Sequence, residues 1–257
     1  MTEYAGQGEA IRTLELLWGK AASPKRGPSQ KTSVGEIVAT AVGIADREGL
    51  GGVTMRAVGR ELDRTAMSLY TYVPGRDVLV MLMYDQVHAE LSGPPQTKNW
   101  RRAVLSWSEQ LRELYVRHPW LLDVSQARPA LGPHEQQVLE GVLRILAGAG
   151  VALSVRPSVT SALYSIVREA AKRKVEAAVE SEHGAEWWAE RAKALQAVAP
   201  DFADRFPESV AIARRQTRLG DQPWLKAAEE AFTGAVTLLL DGISRRTDQT
   251  TTSSRRA

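Results

Sequence analysis

Apolar residues recur three and four positions apart along most of this chain, which is the spacing that gives a helix one apolar face. The segment after position 33 shows the pattern, since its apolar residues are Val34, Ile37, Val38, Ala41, Ile44 and Ala45. We find no segment in which apolar and polar residues alternate between turn signals, as they do in a half-buried strand. The spacing therefore predicts an all-α fold.

The bulk composition excludes several classes of protein. The 257 residues are enough for a small domain and a medium one, and 44% hydrophobic with 25% charged residues is ordinary for globular proteins. No apolar run approaches the roughly 20 residues that span a bilayer, and no basic segment leads into an apolar core as in a secretory signal. The absence of cysteine excludes disulfides and thiolate metal sites. We expect a cytoplasmic protein with no membrane partner.

Capping residues mark the first helix of the N-terminal region. Ser33 and Glu36 have the spacing of a capping box, and Gly49 can end the helix that they open. The apolar face of this helix must pack against other elements. We expect those elements to follow directly in the chain.

Two short helices are predicted next. Thr54 can cap the first of them, Asp63 and Arg64 form a tight turn, and Thr65 can cap the second, which Pro74 ends. Short helices joined by a three-residue turn and resting on a longer helix have the spacing of a DNA-binding helix-turn-helix. Unrelated helical corners share this spacing, so spacing alone leaves DNA binding open.

The residues from 33 to 83 strongly resemble the DNA-binding domain of the TetR family of transcriptional regulators. That family has a first helix ending in glycine, a threonine-capped second helix, a Ser-Leu-Tyr recognition helix and then a basic residue. The matching residues here are Gly49, Thr54, Ser68, Leu69, Tyr70 and Arg76. Residues 100–124 and 238–243 are also similar to the tetracycline-repressor-like class of C-terminal domain.

Two positions depart from the family pattern. Asp63 stands where the family usually has glycine, at a position that we expect to need left-handed backbone, which aspartate tolerates better than most residues. Tyr72 occupies a place where the family often has histidine.

The resemblance implies that the second short helix reads the major groove by its N-terminal end. Leu69 is predicted to lie in the core. The predicted DNA contacts are Thr54, Arg56, Thr65, Ala66, Met67, Ser68, Tyr70, Thr71, Tyr72 and Arg76.

A basic segment precedes this domain. Positions 20–31 hold four basic residues and no acidic residue, although the net charge of the chain is only +3. Arg26 could enter the minor groove as part of an arm, but a solvated linker would have the same composition.

The resemblance also implies a small-molecule ligand bound among the C-terminal helices. Aromatic and polar-tipped residues there can line an apolar pocket with a few orienting groups, although each alone fits a core position equally well. The candidates are Trp107, His118, Trp120, Tyr164, Arg168, Trp187 and Trp188. No two histidines lie three or four positions apart, so we expect neither a metal site nor another cofactor.

The domain boundaries follow from these assignments. We expect a flexible basic arm at 1–32, the helix-turn-helix domain at 33–78, a ligand-binding and dimerisation domain at 79–246, and a disordered tail at 247–257. The apolar stripes of two long helices, at 157–182 and 223–243, predict a two-fold homodimer built as a four-helix bundle.

These features predict a ligand-responsive DNA-binding regulator, specifically a repressor that a small molecule releases from its operator. An enzyme is disfavoured, because the chain lacks a nucleophile elbow, a phosphate loop and paired metal-ligand motifs. A helical protein-interaction module and a ligand-independent regulator remain as alternatives.

Overall fold

The computed structural model describes residues 7–21, 32–93, 97–125, 129–180, 184–219 and 223–254. Over these residues the protein forms helices and turns and no β-strand, which confirms the predicted all-α fold. The chain divides into two compact units, residues 1–160 and 161–257. No helix among the described residues is long and apolar enough to cross a bilayer.

The helices are numbered in chain order. The first unit contains α1 (Gln7–Leu17), α2 (Val34–Glu48), α3 (Met55–Glu61), α4 (Ala66–Leu69), α5 (Arg76–His88), α6 (Trp100–Arg117) and α7 (Pro133–Gly148), with short 3-10 turns at Leu50–Gly52 and Pro119–Asp123. Helix α8 (Arg156–Glu180) begins in the first unit and continues into the second. The second unit also contains α9 (Gly184–Val198), α10 (Phe202–Arg205), α11 (Pro207–Thr217) and α12 (Pro223–Ser254).

Helix α2 begins at the predicted capping box. The Ser33 N–H donates to Glu36 Oε2 at 2.7 Å, and the Glu36 N–H donates to Ser33 Oγ at 3.2 Å. The helix ends at Gly49, whose φ of 73° lies in the region that favours glycine. Its buried residues are Ile37, Val38, Ala41, Ile44 and Ala45, so the apolar face read from the sequence is the face that packs.

Helices α3 and α4 form the predicted corner. The Thr54 hydroxyl accepts from the Ala57 N–H at 3.0 Å, and the Thr65 hydroxyl accepts from the Ser68 N–H at 3.2 Å. Asp63 has a φ of 53°, which is the left-handed backbone expected at the turn. A Cβ at Gly59 would lie 2.6 Å from the Arg64 carbonyl oxygen, so the two helices approach more closely than another side chain would allow.

Two predicted boundaries require correction. The predicted flexible arm contains helix α1, whose Thr13 and Leu17 are buried and which packs against α5. Tertiary burial of one helix face, rather than local propensity, stabilises so short a helix. At the other end α12 continues to Ser254, into the segment predicted to be disordered, because extending an existing helix adds one hydrogen bond per residue.

Candidate nucleic-acid interface and ligand cavity

Helix α4 presents a solvent-facing surface above a buried anchor. Met67 is 77% exposed and Tyr70 at the end of the helix is 45% exposed, whereas Leu69 between them is fully buried. The sequence predicted this division, with Leu69 inward and its neighbours outward. Of the other predicted contacts, Thr54, Arg56, Thr65 and Thr71 are exposed, and Ala66 and Ser68 are half-buried.

The hydroxyls of this surface are held by the local backbone. The Ser68 hydroxyl donates to the Thr65 carbonyl at 2.7 Å, and the Thr71 hydroxyl donates to the Ser68 carbonyl at 2.7 Å. Helix α4 has four residues, and the segment that follows Leu69 forms turns instead of the longer helix that we predicted. These two hydrogen bonds brace that turn segment and fix the direction of the exposed side chains.

Two predicted contacts, Tyr72 and Arg76, pack or bond within the protein. Tyr72 is only 8% exposed, so the prediction that its ring faces DNA is wrong; the ring is part of the core. Arg76 donates to the Val53 carbonyl from Nε at 2.8 Å and to the Leu50 carbonyl from Nη2 at 2.7 Å, so it braces the loop before α3. Arg26 lies outside the described residues.

Two arginines near this surface are not among the contacts predicted from the sequence. Arg12 on α1 is exposed and donates from Nη2 to the Thr71 carbonyl at 3.2 Å. Arg64 in the turn between the helices is exposed and donates from Nε to Thr32 Oγ1 at 3.3 Å. The position of Arg64 beside the turn could have been read from the sequence. Arg12 could not, because it depends on how α1 packs.

His118 and Trp120 join α2 to the rest of the first unit, and neither lies on the wall of the cavity between the end of α5, α6 and α7. Nδ1 of His118 and Nε1 of Trp120 lie 2.7 and 2.8 Å from Oδ1 of Asp46 on α2. Nε2 of His118 lies 3.1 Å from Oε1 of Glu90, just after α5. Both aromatic residues are buried. Their polar atoms join helices within the protein, a role that the sequence did not predict for them.

A cavity of about 620 Å³ lies in the first unit, between the end of α5, α6 and α7. Of the predicted pocket residues, Trp107 lies on its wall and donates from Nε1 to the Val138 carbonyl at 3.1 Å. Other wall residues are His88, Leu91, Ser92, Gln110, His134, Gln137, Glu140, Arg144 and Ile145. The cavity has the apolar wall with a few polar groups that small-molecule sites share.

A buried carboxylate positions the α7 side of this cavity. Asp85 on α5 is 3% exposed, and its Oδ1 accepts the N–H groups of His134 and Glu135, each at 2.9 Å. Its Oδ2 lies 2.8 Å from Nδ1 of His134. A Cβ at Gly132 would lie 2.2 Å from Asp85 Oδ1, so only glycine allows this approach. Asp85 thus anchors the first turn of α7 to α5.

The remaining predicted pocket residues lie in the second unit. Tyr164 and Arg168 on α8 are half-buried. Trp187 and Trp188 on α9 are 49% and 45% exposed and lie edge to face, with ring centroids 4.8 Å apart. Trp188 also stacks on Trp224 of α12, with centroids 4.7 Å apart. The two tryptophans therefore belong to a surface aromatic cluster of that unit.

A helix-turn-helix with an exposed short helix, followed by further helices that enclose a cavity, is the architecture of a ligand-binding transcriptional regulator. The family model described as "Tetracyclin repressor-like, C-terminal domain" matches residues 93–247. The chain belongs to the TetR family of transcriptional regulators, as the sequence predicted, and this family agrees with the expectation of a regulator and not an enzyme.

Individual relatives agree with this family. The chain is 42% identical over 167 residues to the HTH-type transcriptional repressor DrrR1 of Streptomyces coeruleorubidus, covering 64% of this chain and 61% of that protein. It is 33% identical over 116 residues to an HTH-type transcriptional regulator of Saccharopolyspora erythraea, covering 45% of this chain and 49% of that protein. The match therefore spans less than two thirds of each of these relatives.

Among solved structures, the chain is similar to the TetR family protein ActR of Streptomyces coelicolor in complex with actinorhodin. The sequences are 26% identical and the TM-score is 0.68, over 83% of this chain and 97% of that chain. The fold of the two proteins is therefore shared over nearly all of ActR.

Proposed function

We propose that this protein is a homodimeric repressor that binds operator DNA through α3 and α4 and is released when a small molecule occupies the cavity of the first unit. It would act in the cytoplasm, where chromosomal DNA lies. The observation that carries the proposal is the surface of α4, where Met67 and Tyr70 face solvent above the buried Leu69. A short helix whose anchor is fixed and whose outer side chains are free can enter the major groove.

Relatives support both halves of the proposal. DrrR1 is named a transcriptional repressor, and ActR has been solved with actinorhodin bound. The cavity in this chain supplies space for a ligand of its own. We therefore propose repression that a small molecule relieves.

Helix α5 can couple the two sites. It begins at Arg76, which braces the loop before α3, and it ends at His88 on the wall of the cavity. A ligand that binds one position of α5 better than another shifts the population towards that position. Because the helix is continuous, a shift at His88 would reach the base of the DNA-facing corner.

The proposed dimer interface involves α12 in the second unit. Phe232, Val236 and Leu240 of this helix are buried, whereas Leu238 on another face is 73% exposed. Ala231 and Gly242 lie on the same face as Leu238 and are also exposed. Small residues beside one large apolar residue allow two helices to approach closely. A second copy of the chain would supply the second DNA-binding domain that an operator with two half-sites requires.

The experiment is selection of genomic fragments by the purified protein, followed by fluorescence anisotropy of the selected duplex over a series of salt concentrations. We expect a protected site with two-fold symmetry and an affinity that falls as salt rises, because contacts to phosphates release counterions. A flat salt response, or no selection over random DNA, would overturn the proposal and favour a protein-binding helical module. Selection of an operator that no small molecule releases would favour a ligand-independent regulator.

A further inference from the structure

The protonation of His88 on the cavity wall is fixed by its neighbours. Its Nδ1 lies 2.7 Å from the Tyr84 carbonyl oxygen, and because a carbonyl only accepts, Nδ1 carries the proton. Burial lowers the pKa of His88, which keeps the ring neutral near pH 7. A neutral imidazole has one N–H, so Nε2 is a bare acceptor. This atom is buried and has no hydrogen-bond partner in the protein.

A second histidine on the same wall also bonds through its Nδ1. Nδ1 of His134 lies 2.8 Å from Oδ2 of Asp85, and a carboxylate likewise only accepts. The orientation of the Asp85 carboxylate is fixed, because its other oxygen accepts two backbone N–H groups of α7.

Several donor groups on the wall are already used within the protein. Trp107 donates from Nε1 to a backbone carbonyl, and the Ser92 hydroxyl donates to Oε1 of Gln110 at 3.2 Å. The Arg144 guanidinium donates from Nε to Oε1 of Glu140 at 2.7 Å and is paired with that carboxylate. Among the buried polar atoms of this wall, Nε2 of His88 is thus an acceptor without a partner within the described part of the protein.

We propose that the cavity selects an uncharged, largely apolar ligand that carries a hydroxyl group, and that this hydroxyl donates a hydrogen bond to Nε2 of His88. The inference rests on the proposed function, since it assigns the ligand class of that same cavity. A carboxylate ligand brings only acceptors to the acceptor Nε2 of His88, so this atom discriminates against it. A hydroxyl instead satisfies a buried nitrogen that otherwise lacks a partner.

The test compares 1,5-dihydroxynaphthalene with 1,5-dimethoxynaphthalene, which has the same ring and oxygen positions but cannot donate a hydrogen bond. In calorimetric titrations of the full-length protein, the dihydroxy compound should bind about five- to tenfold more tightly than the dimethoxy compound. This difference is the effect of one net hydrogen bond. Naphthalene-1-carboxylate should bind more weakly than the dihydroxy compound. Equal affinities for the first two probes, or a preference for the carboxylate, would overturn the proposal.

Two substitutions of His88 separate its two nitrogens. In His88→Asn the amide N–H₂ can take the place of Nδ1 and keep the bond to Tyr84, but nothing replaces Nε2, so the hydroxyl preference should be lost. In His88→Gln the amide oxygen can reach the position of Nε2 and should keep part of the preference. Ser92→Ala is the matched control on the same wall and should keep all of it. A preference that survives His88→Asn or disappears in Ser92→Ala would overturn the assignment to His88.

A spectroscopic measurement on the unsubstituted protein covers the case in which a variant does not fold. In two-bond ¹H–¹⁵N spectra, Nε2 of His88 should have the resonance of an unprotonated nitrogen and should move upfield when the dihydroxy compound is added. A protonated Nε2, or no movement, would overturn the proposal. Operator binding measured on the same sample distinguishes the failures: if neither naphthalene binds but the operator does, the ligand class is wrong and the regulator remains.

Discussion

The anchor at Asp85 gives the sharpest quantitative prediction. Its carboxylate accepts three hydrogen bonds of 2.8–2.9 Å, two from the backbone of α7 and one from the His134 ring. A hydrogen bond to a charged group contributes about 1.5–3 kcal/mol. Removing the carboxylate also removes its desolvation cost, and this offsets several kcal/mol of the loss of the three hydrogen bonds. We expect Asp85→Ala to lower the free energy of unfolding by about 2–4 kcal/mol.

The conservative substitution Asp85→Asn should lower the free energy of unfolding by less than Asp85→Ala does. In Asp85→Asn the remaining oxygen can still accept the two backbone N–H groups, and only the bond to His134 is lost, so we expect a loss of about 1–2 kcal/mol. The matched control on α7 is Glu140→Ala. This residue forms an exposed ion pair with Arg144, and such pairs contribute less than about 0.5 kcal/mol.

Urea denaturation followed by circular dichroism measures these differences, and hydrogen exchange locates them. The first-turn amides of α7, those of His134 and Glu135, should exchange faster in Asp85→Ala than in the unsubstituted protein. The reasoning is refuted if Asp85→Ala is no less stable than Glu140→Ala, or if exchange in α7 is unchanged.

Three further predictions concern the other sites. Tyr70→Ala should leave the fold intact and weaken operator binding by about 1–3 kcal/mol in an anisotropy titration. Leu69→Ala, at a fully buried position, should lower the stability of the fold by about 2–5 kcal/mol. The reverse result would show that the inward and outward faces of α4 are assigned the wrong way round. Leu238→Glu should give monomers by light scattering with unchanged helical content, because burying an unpaired carboxylate costs several kcal/mol, and a dimer that still binds operator would move the interface elsewhere. Because burial lowers the pKa of His88 below its unfolded value, the unfolded chain binds the extra proton, so stability should fall as the pH drops below about 6.5; His88→Asn should reduce this fall, and an unchanged pH profile would show that another group causes it.

Local chemistry made much of the DNA-facing corner readable from the sequence. The hydroxyls of Ser33, Thr54 and Thr65 cap helices at the positions predicted, because a cap is satisfied by an N–H only three residues away. The inward direction of Leu69 follows from helical spacing alone. Spacing was less reliable beyond Leu69, where the turn segment places Tyr72 in the core.

The cavity and its supports depend on contacts that no local pattern contains. Trp120 bonds to Asp46, 74 positions away, and His134 bonds to Asp85, 49 positions away. An aromatic residue on an apolar face has the same sequence pattern whether it lines a cavity or joins two helices, so Trp107 and Trp120 looked alike. The sequence by itself determined the all-α class, the caps of α2, α3 and α4, and the family. Tertiary packing decided which polar atoms found partners within the protein and which, like Nε2 of His88, did not, because burial and pairing depend on neighbours brought together by folding.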